Sequence, residues 1–184
     1  MPIESGRVQA IYDGDTIKLS NRQVLKFIDA PGHASHELCI YESRNNGIFA
    51  GDAAGVFIPE GEISLPSPNR DPELCVNTLR RLMELNATTV YFSHFGTSNK
   101  VQQILQLAID KLQVWNEIVD KAIKDNMFES ASEKMVAQTC AELEPVRKMK
   151  PLYAHLINHF VPESASFHIK YYQRKALKNS ESNQ

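Results

Sequence analysis

At 184 residues the chain is long enough to form one domain, or one domain with an appendage, and to bury a sizeable core. A formal net charge of −2 leaves no basic excess to neutralise phosphates, which excludes nucleic-acid binding through a broad electrostatic patch. No apolar run approaches a membrane span and the N-terminus carries no signal-type apolar segment, so no membrane partner is expected and the cytoplasm is the expected compartment.

The first half of the chain reads as β-rich and the second as helical. VQAIY, DTIKLS and QVLKFIDA predict short strands separated by the turn pairs Asp13-Gly14 and Ser20-Asn21. LCIYE and IFAGD predict two more strands joined through Asn46-Gly47, a hairpin signal because both residues tolerate positive φ. Antiparallel pairing of these two strands brings the start of the first, near Leu38, beside the end of the second, near Gly51. The segment AGVFIPEGEISLPSPNR, with three prolines and little periodicity, predicts a long loop, either a functional flap or a surface excursion. NRDPELCVNTLRRLMEL predicts a helix with Asp71 as N-cap, Pro72 in the first turn, and Cys75, Leu79, Leu82 and Met83 as the apolar stripe.

ATTVYF then predicts a strand reached by a crossover, hence parallel to the one before the helix. From Ser98 to about Phe128 apolar residues recur at helical spacing, with Thr97 or Ser98 as the cap. Further helices are expected over about Ser132–Leu143, from Pro151 with Leu152, Leu156 and Phe160 inward, and over FHIKYYQRKALK. The polar tail NSESNQ is expected to fray.

Three separated segments each present a metal-ligand residue: His33 in DAPGHASH, Asp52 in IFAGDAAG and His94 in VYFSHFGTS. Imidazole and carboxylate are usual donors for zinc and similar divalent ions. The topology places all three at strand ends on one side of the sheet, where α/β proteins usually bind ligands. Each residue taken alone is ordinary: a loop histidine, a turn aspartate, a loop histidine. Their convergence is what points to a site.

These same stretches, PGH before a strand, GD after a strand and a late histidine after another, resemble the C-terminal half of the metallo-β-lactamase superfamily over about residues 7–98. The helices that follow resemble, more loosely, the helical appendage of glyoxalase II-like members. The resemblance implies an α+β fold: half of a metallo-β-lactamase-type αββα sandwich over 1–98, then a helical appendage over 99–184. It implies metal ligation by His33, Asp52 and His94, with Asp52 bridging two metals, and hydrolysis of an ester- or thioester-like bond in a small-molecule substrate. The implied cofactor is zinc or another divalent metal, iron and manganese included.

The family's HxHxDH motif is absent: the six histidines are His33, His36, His94, His155, His159 and His168. The expectation is therefore a truncated chain with no complete catalytic set, in which a single ion could bind His33, Asp52 and His94 and keep an open position. The alternative is a non-catalytic module on a degenerate metal-binding scaffold, self-associating as a homodimer through apolar surface.

His36 is expected to support or pack beside the ligands. His155 and His159, four apart on a helix, lack the glutamate of the metalloprotease pattern and read as ordinary helix histidines. Tyr171, Tyr172, Arg174 and Lys175 would either line a substrate pocket or pack a terminal helix. Cys39, Cys75 and Cys140 are widely spaced and form no CxxC pair, so they read as small hydrophobes.

Overall fold

A computed structural model describes residues 3–94, 96–125 and 127–181. A mixed sheet of order β1-β2-β3-β4-β7-β8 forms from Thr16–Ser20, Gln23–Asp29, Leu38–Glu42, Gly47–Phe49, Thr89–Tyr91 and Thr97–Ser98. Val56–Ile58 and Ile63–Leu65 pair separately as the β5–β6 hairpin. The helices are α1 (Pro72–Glu84), α2 (Val101–Lys124), α3 (Phe128–Leu143), α4 (Pro151–His155) and α5 (Val161–Glu181). The β3–β4 pair is antiparallel and β4–β7 is parallel, as the hairpin and crossover arguments require.

Strand alternation divides the sheet into two unlike faces. Ile28, Cys39, Ile48 and Val90 point one way and are buried against Cys75, Leu79 and Leu82 of α1 and Ile104, Leu105 and Leu112 of α2. The other face carries an aligned row, Phe27–Ile40–Phe49–Tyr91, running across four strands. Phe49 is 46% exposed and stacks on Tyr91 with ring centroids 4.6 Å apart. One layer of helices on one face of a sheet is half of an αββα arrangement.

Several sequence expectations need correction. VQAIY forms no strand and is largely exposed. In the β3–β4 turn only Asn46 has positive φ; Gly47 is required for space, since a Cβ there would lie 2.6 Å from the Tyr91 ring. The expected loop after Asp52 is instead the β5–β6 hairpin, whose Val56, Ile58 and Leu65 are buried against Tyr153, Leu156 and Val161. Its prolines flank the strands, and its apolar content reflects burial on both sides. Thr97 and Ser98 form β8, so α2 begins at Val101 with Lys100 at its cap position and no side-chain cap. Leu152 is 50% exposed rather than inward. The two helices expected after Pro151 are one continuous run through a π turn at Leu156–Phe160. Helix continues into the tail through Glu181, and residues 182–184 lie outside the described residues.

Helix α1 follows its signals: the Asp71 side chain accepts from Leu74 N–H, and Pro72 starts the first turn. Helix α2 spans two cores. Its first half joins the sheet core, while Trp115, Val119 and Ala122 pack with Met135, Ala165 and Ile169. No helix among the described residues is long and apolar enough to cross a membrane.

Candidate metal centre

His33 sits on a loop pinned at several points. The carbonyl of Gly32 accepts from both Arg70 N–H and Asp71 N–H, and the Pro31 carbonyl accepts from Thr78 Oγ at 2.7 Å. Ala30 N–H donates to the Glu37 carbonyl at 2.9 Å, closing the loop on its other side. Gly32 has φ +146°, and a Cβ there would stand 2.6 Å from the Cys75 backbone, so only glycine lets this loop press on the start of α1. The backbone carrying the imidazole is fixed before any ligand arrives.

Asp52 follows β4 in a tight turn in which Ala53 N–H donates to Ala50 and Gly55 N–H to Asp52. Its own N–H donates to Glu37 Oε1 at 3.0 Å. Gly51, at φ +57°, leaves room for that carboxylate, since a Cβ would meet it at 2.3 Å. His94 follows β7, where Phe92 N–H donates to the Gly96 carbonyl. Parallel pairing of β4 with β7 sets the Asp52 and His94 ends side by side.

The three side chains therefore meet at one edge. His33 Nε2 is 3.8 Å from Asp52 Oδ2, and His94 Nε2 is 3.5 Å from Asp52 Oδ1. Two donors each about 2.0–2.2 Å from a shared ion in tetrahedral geometry stand about 3.3–3.6 Å apart, so the 3.5 Å His94–Asp52 spacing suits ion-sharing partners and the 3.8 Å His33–Asp52 spacing is slightly wider. Asp52 Oδ1 and His33 Nδ1 are buried atoms with no hydrogen-bond partner, which normally calls for an ion or water to satisfy them. The donor set, one carboxylate and two imidazoles, fits a divalent cation.

The arrangement differs from a single three-ligand site. Each imidazole faces its own oxygen of one carboxylate, and among the described residues no trio of His, Cys, Asp or Glu closes round one point. His33 and His94 thus define two half-sites that share Asp52. His36 is exposed. Its neighbour Glu37 supports Asp52, a role that only the β3–β4 pairing reveals, since Glu37 and Asp52 lie fifteen residues apart.

Arg70, Asp71, Tyr171, Arg174, Lys175 and Lys178 line a cavity of about 500 Å³ beside the start of α1, so Arg174 and Lys175 face solvent-accessible space while Tyr172 is buried. Lys175 is ion-paired to Glu73, and Tyr171 donates to the same carboxylate at 3.0 Å. Burial pushes the Cys39 and Cys75 thiols up to about 12, as befits inert core groups.

Comparison with known proteins adds the family. Residues 6–94 match the model of the metallo-beta-lactamase superfamily. Over that segment the chain is similar to the metallo-β-lactamase superfamily. A metallo-beta-lactamase fold-containing protein of Sulfurisphaera tokodaii, ST1585, is 28% identical over 114 residues, covering 56% of this chain and 43% of that protein. The crystal structure of ST1585 aligns at TM-score 0.51 and 21% identity, over 60% of this chain and 41% of that one. A metallo-beta-lactamase family protein of Thermus thermophilus aligns at TM-score 0.55 and 18% identity, over 90% of this chain and 48% of its own. This last likeness extends the shared fold into the helical region. The chain spans less than half the length of each of these relatives.

Proposed function

We propose that His33, Asp52 and His94 are the ligand set this superfamily segment contributes to a metal-dependent hydrolase centre acting on an ester- or thioester-like bond. The observation that carries this reading is the shared carboxylate: Asp52 turns one oxygen toward each histidine, and its Oδ1 is otherwise unpartnered. His33 and His94 would bind through Nε2, with Asp52 between them. A bound divalent metal, zinc or alternatively iron or manganese, supplies a lowered pKa for coordinated water and a Lewis acid for a carbonyl oxygen.

The chain's own residues hold this geometry. Glu37 fixes the Asp52 backbone, and the Gly32 carbonyl ties the His33 loop to α1. The side chains of His33, Asp52 and His94 are 28%, 35% and 54% exposed, so a small-molecule substrate can reach the edge from solvent. The HxHxDH residues do not occur in the 184, and no general acid or base is assigned to this chain.

The test is hydrolysis of a chromogenic ester and a thioester by the chelated and metal-reloaded protein. Because the HxHxDH residues are absent, the reading expects only weak turnover, which chelation removes, zinc restores, and Asp52→Asn lacks. Metal-independent turnover, unchanged in Asp52→Asn, would contradict it. Phe49, 46% exposed within the Phe27–Ile40–Phe49–Tyr91 row, favours a second reading, a self-associating module without turnover; metal uptake with no hydrolysis and a dimer in solution would select that one.

A further inference from the structure

His155 and His159 stand four residues apart on the helical run Pro151–Glu181, and both are exposed. We propose that they form a separate two-imidazole metal site, for a late first-row divalent ion such as Cu(II), Ni(II) or Zn(II). Their ring centroids are 4.6 Å apart and their planes tilt by 37°. A coordinating nitrogen about 2.1 Å from an ion puts the ring centre about 3.2 Å from it, so two rings sharing an ion have centres about 4.5–5.2 Å apart. The observed separation lies within that bite.

The turn between the two rings is the π turn Leu156–Phe160, closed by Val161 N–H donating to the Leu156 carbonyl. Pro162 accounts for it. Proline has no N–H to give Asn158 and its ring crowds that carbonyl, so one widened turn relieves the clash. The opposite side of this segment is anchored, with Tyr153, Leu156, Ile157 and Val161 buried against Leu143 and Val146. The backbone carrying both imidazoles is thus held, and chelation fixes only their side-chain torsions.

Neutral imidazole suits copper, nickel and zinc, and the affinity order of divalent ions favours copper. Among the described residues no third His, Cys, Asp or Glu joins the pair. Water would fill the remaining positions, making this an exchangeable surface site rather than a structural one. It stands on the core of the helices, whereas His33, Asp52 and His94 stand on strand ends.

The experiment is titration of the metal-free full chain with Cu(II), read by the nitrogen hyperfine pattern in electron paramagnetic resonance. Wild type and the His33→Ala/His94→Ala double variant should both show a two-imidazole signal. In the His33→Ala/His94→Ala background, His155→Gln and His159→Gln should each lose it, with far-UV circular dichroism unchanged because both side chains are exposed. An undiminished signal in both glutamine variants of that background, or no signal in the His33→Ala/His94→Ala protein itself, would overturn the site.

Discussion

At the strand ends, Asp52 Oδ1 and His33 Nδ1 lack hydrogen-bond partners, yet their side chains are about one-third exposed and beside one another. In the helical region His168 is 1% exposed and neither ring nitrogen has a hydrogen-bond partner. There it is sealed between Trp115, edge-on at 5.5 Å, and Tyr172 at 5.5 Å. The same local fact has opposite meanings. An orphaned oxygen of an anion next to two imidazoles, within reach of solvent, invites a cation. An orphaned imidazole among aromatic rings is kept neutral by its surroundings: burial pushes His168 down to about 4. The orphaned atoms at the strand ends suit an ion and the orphaned ring of His168 is packed away, so substitutions at these two places should separate strand-end metal uptake from stability.

The largest stability effect is expected at Trp115, 1% exposed and donating its indole N–H to Thr139. Trp115→Ala should cost about 3–5 kcal/mol in denaturant unfolding. The stable fraction should still bind metal at the strand ends. Loss of metal affinity at unchanged fold would break the separation.

Gly32→Ala joins the two properties. The new Cβ meets the Cys75 backbone at 2.6 Å in a backbone conformation unfavourable for alanine. About 1–3 kcal/mol of strain is expected, relieved by shifting the His33 loop, with reduced metal affinity. Calorimetric metal titration beside a thermal melt measures both.

Acid should act on the helical region first through His168. Its folded pKa, about 4, lies below the ordinary 6.5, so the unfolded chain binds the proton more readily. The neutral-His contribution is intact above about pH 6.5 and declines as pH falls toward 4. Replacing His168 with Phe should flatten the fall of melting temperature over that window. An unchanged slope would place the acid sensitivity elsewhere.

The smallest effect belongs to the surface pair Arg81–Asp13 at 2.7 Å, where the guanidinium hydrogen bonds hold the Asp13 carboxyl below its usual range. Both partners are more than a third exposed, so Arg81→Ala should cost only about 0.5 kcal/mol. That contribution is present above the ordinary carboxylate pKa and disappears as pH falls through the lowered one. A salt-insensitive loss above about 2 kcal/mol would mean that Arg81 acts instead through the Asp29 carbonyl it also contacts.

What the sequence disclosed was chiefly the topology that brings His33, Asp52 and His94 to one edge. Asn46-Gly47 marked the hairpin, Asp71-Pro72 marked the helix start, and these two alone bring Asp52 and His94 to neighbouring strand ends. The supporting shell was not legible. Glu37 reaches Asp52 only because β3 and β4 pair, and nothing in HASHELCIY distinguishes it from His36. The β5–β6 hairpin was misread as a loop because its short strands are buried on both sides, which erases the two-residue alternation. The π turn was hidden because one proline within a long helix signals a break more readily than a local widening.

The central claim is that His33, Asp52 and His94 hold a divalent metal, and elemental analysis of the purified chain tests it most directly. The account predicts measurable zinc, substoichiometric to one per chain, after dialysis against zinc of the His155→Gln/His159→Gln protein, which keeps the strand-end residues and lacks the surface pair. It predicts a loss of most of that metal in His33→Ala and in Asp52→Asn. Equal, near-zero content in all three would contradict it.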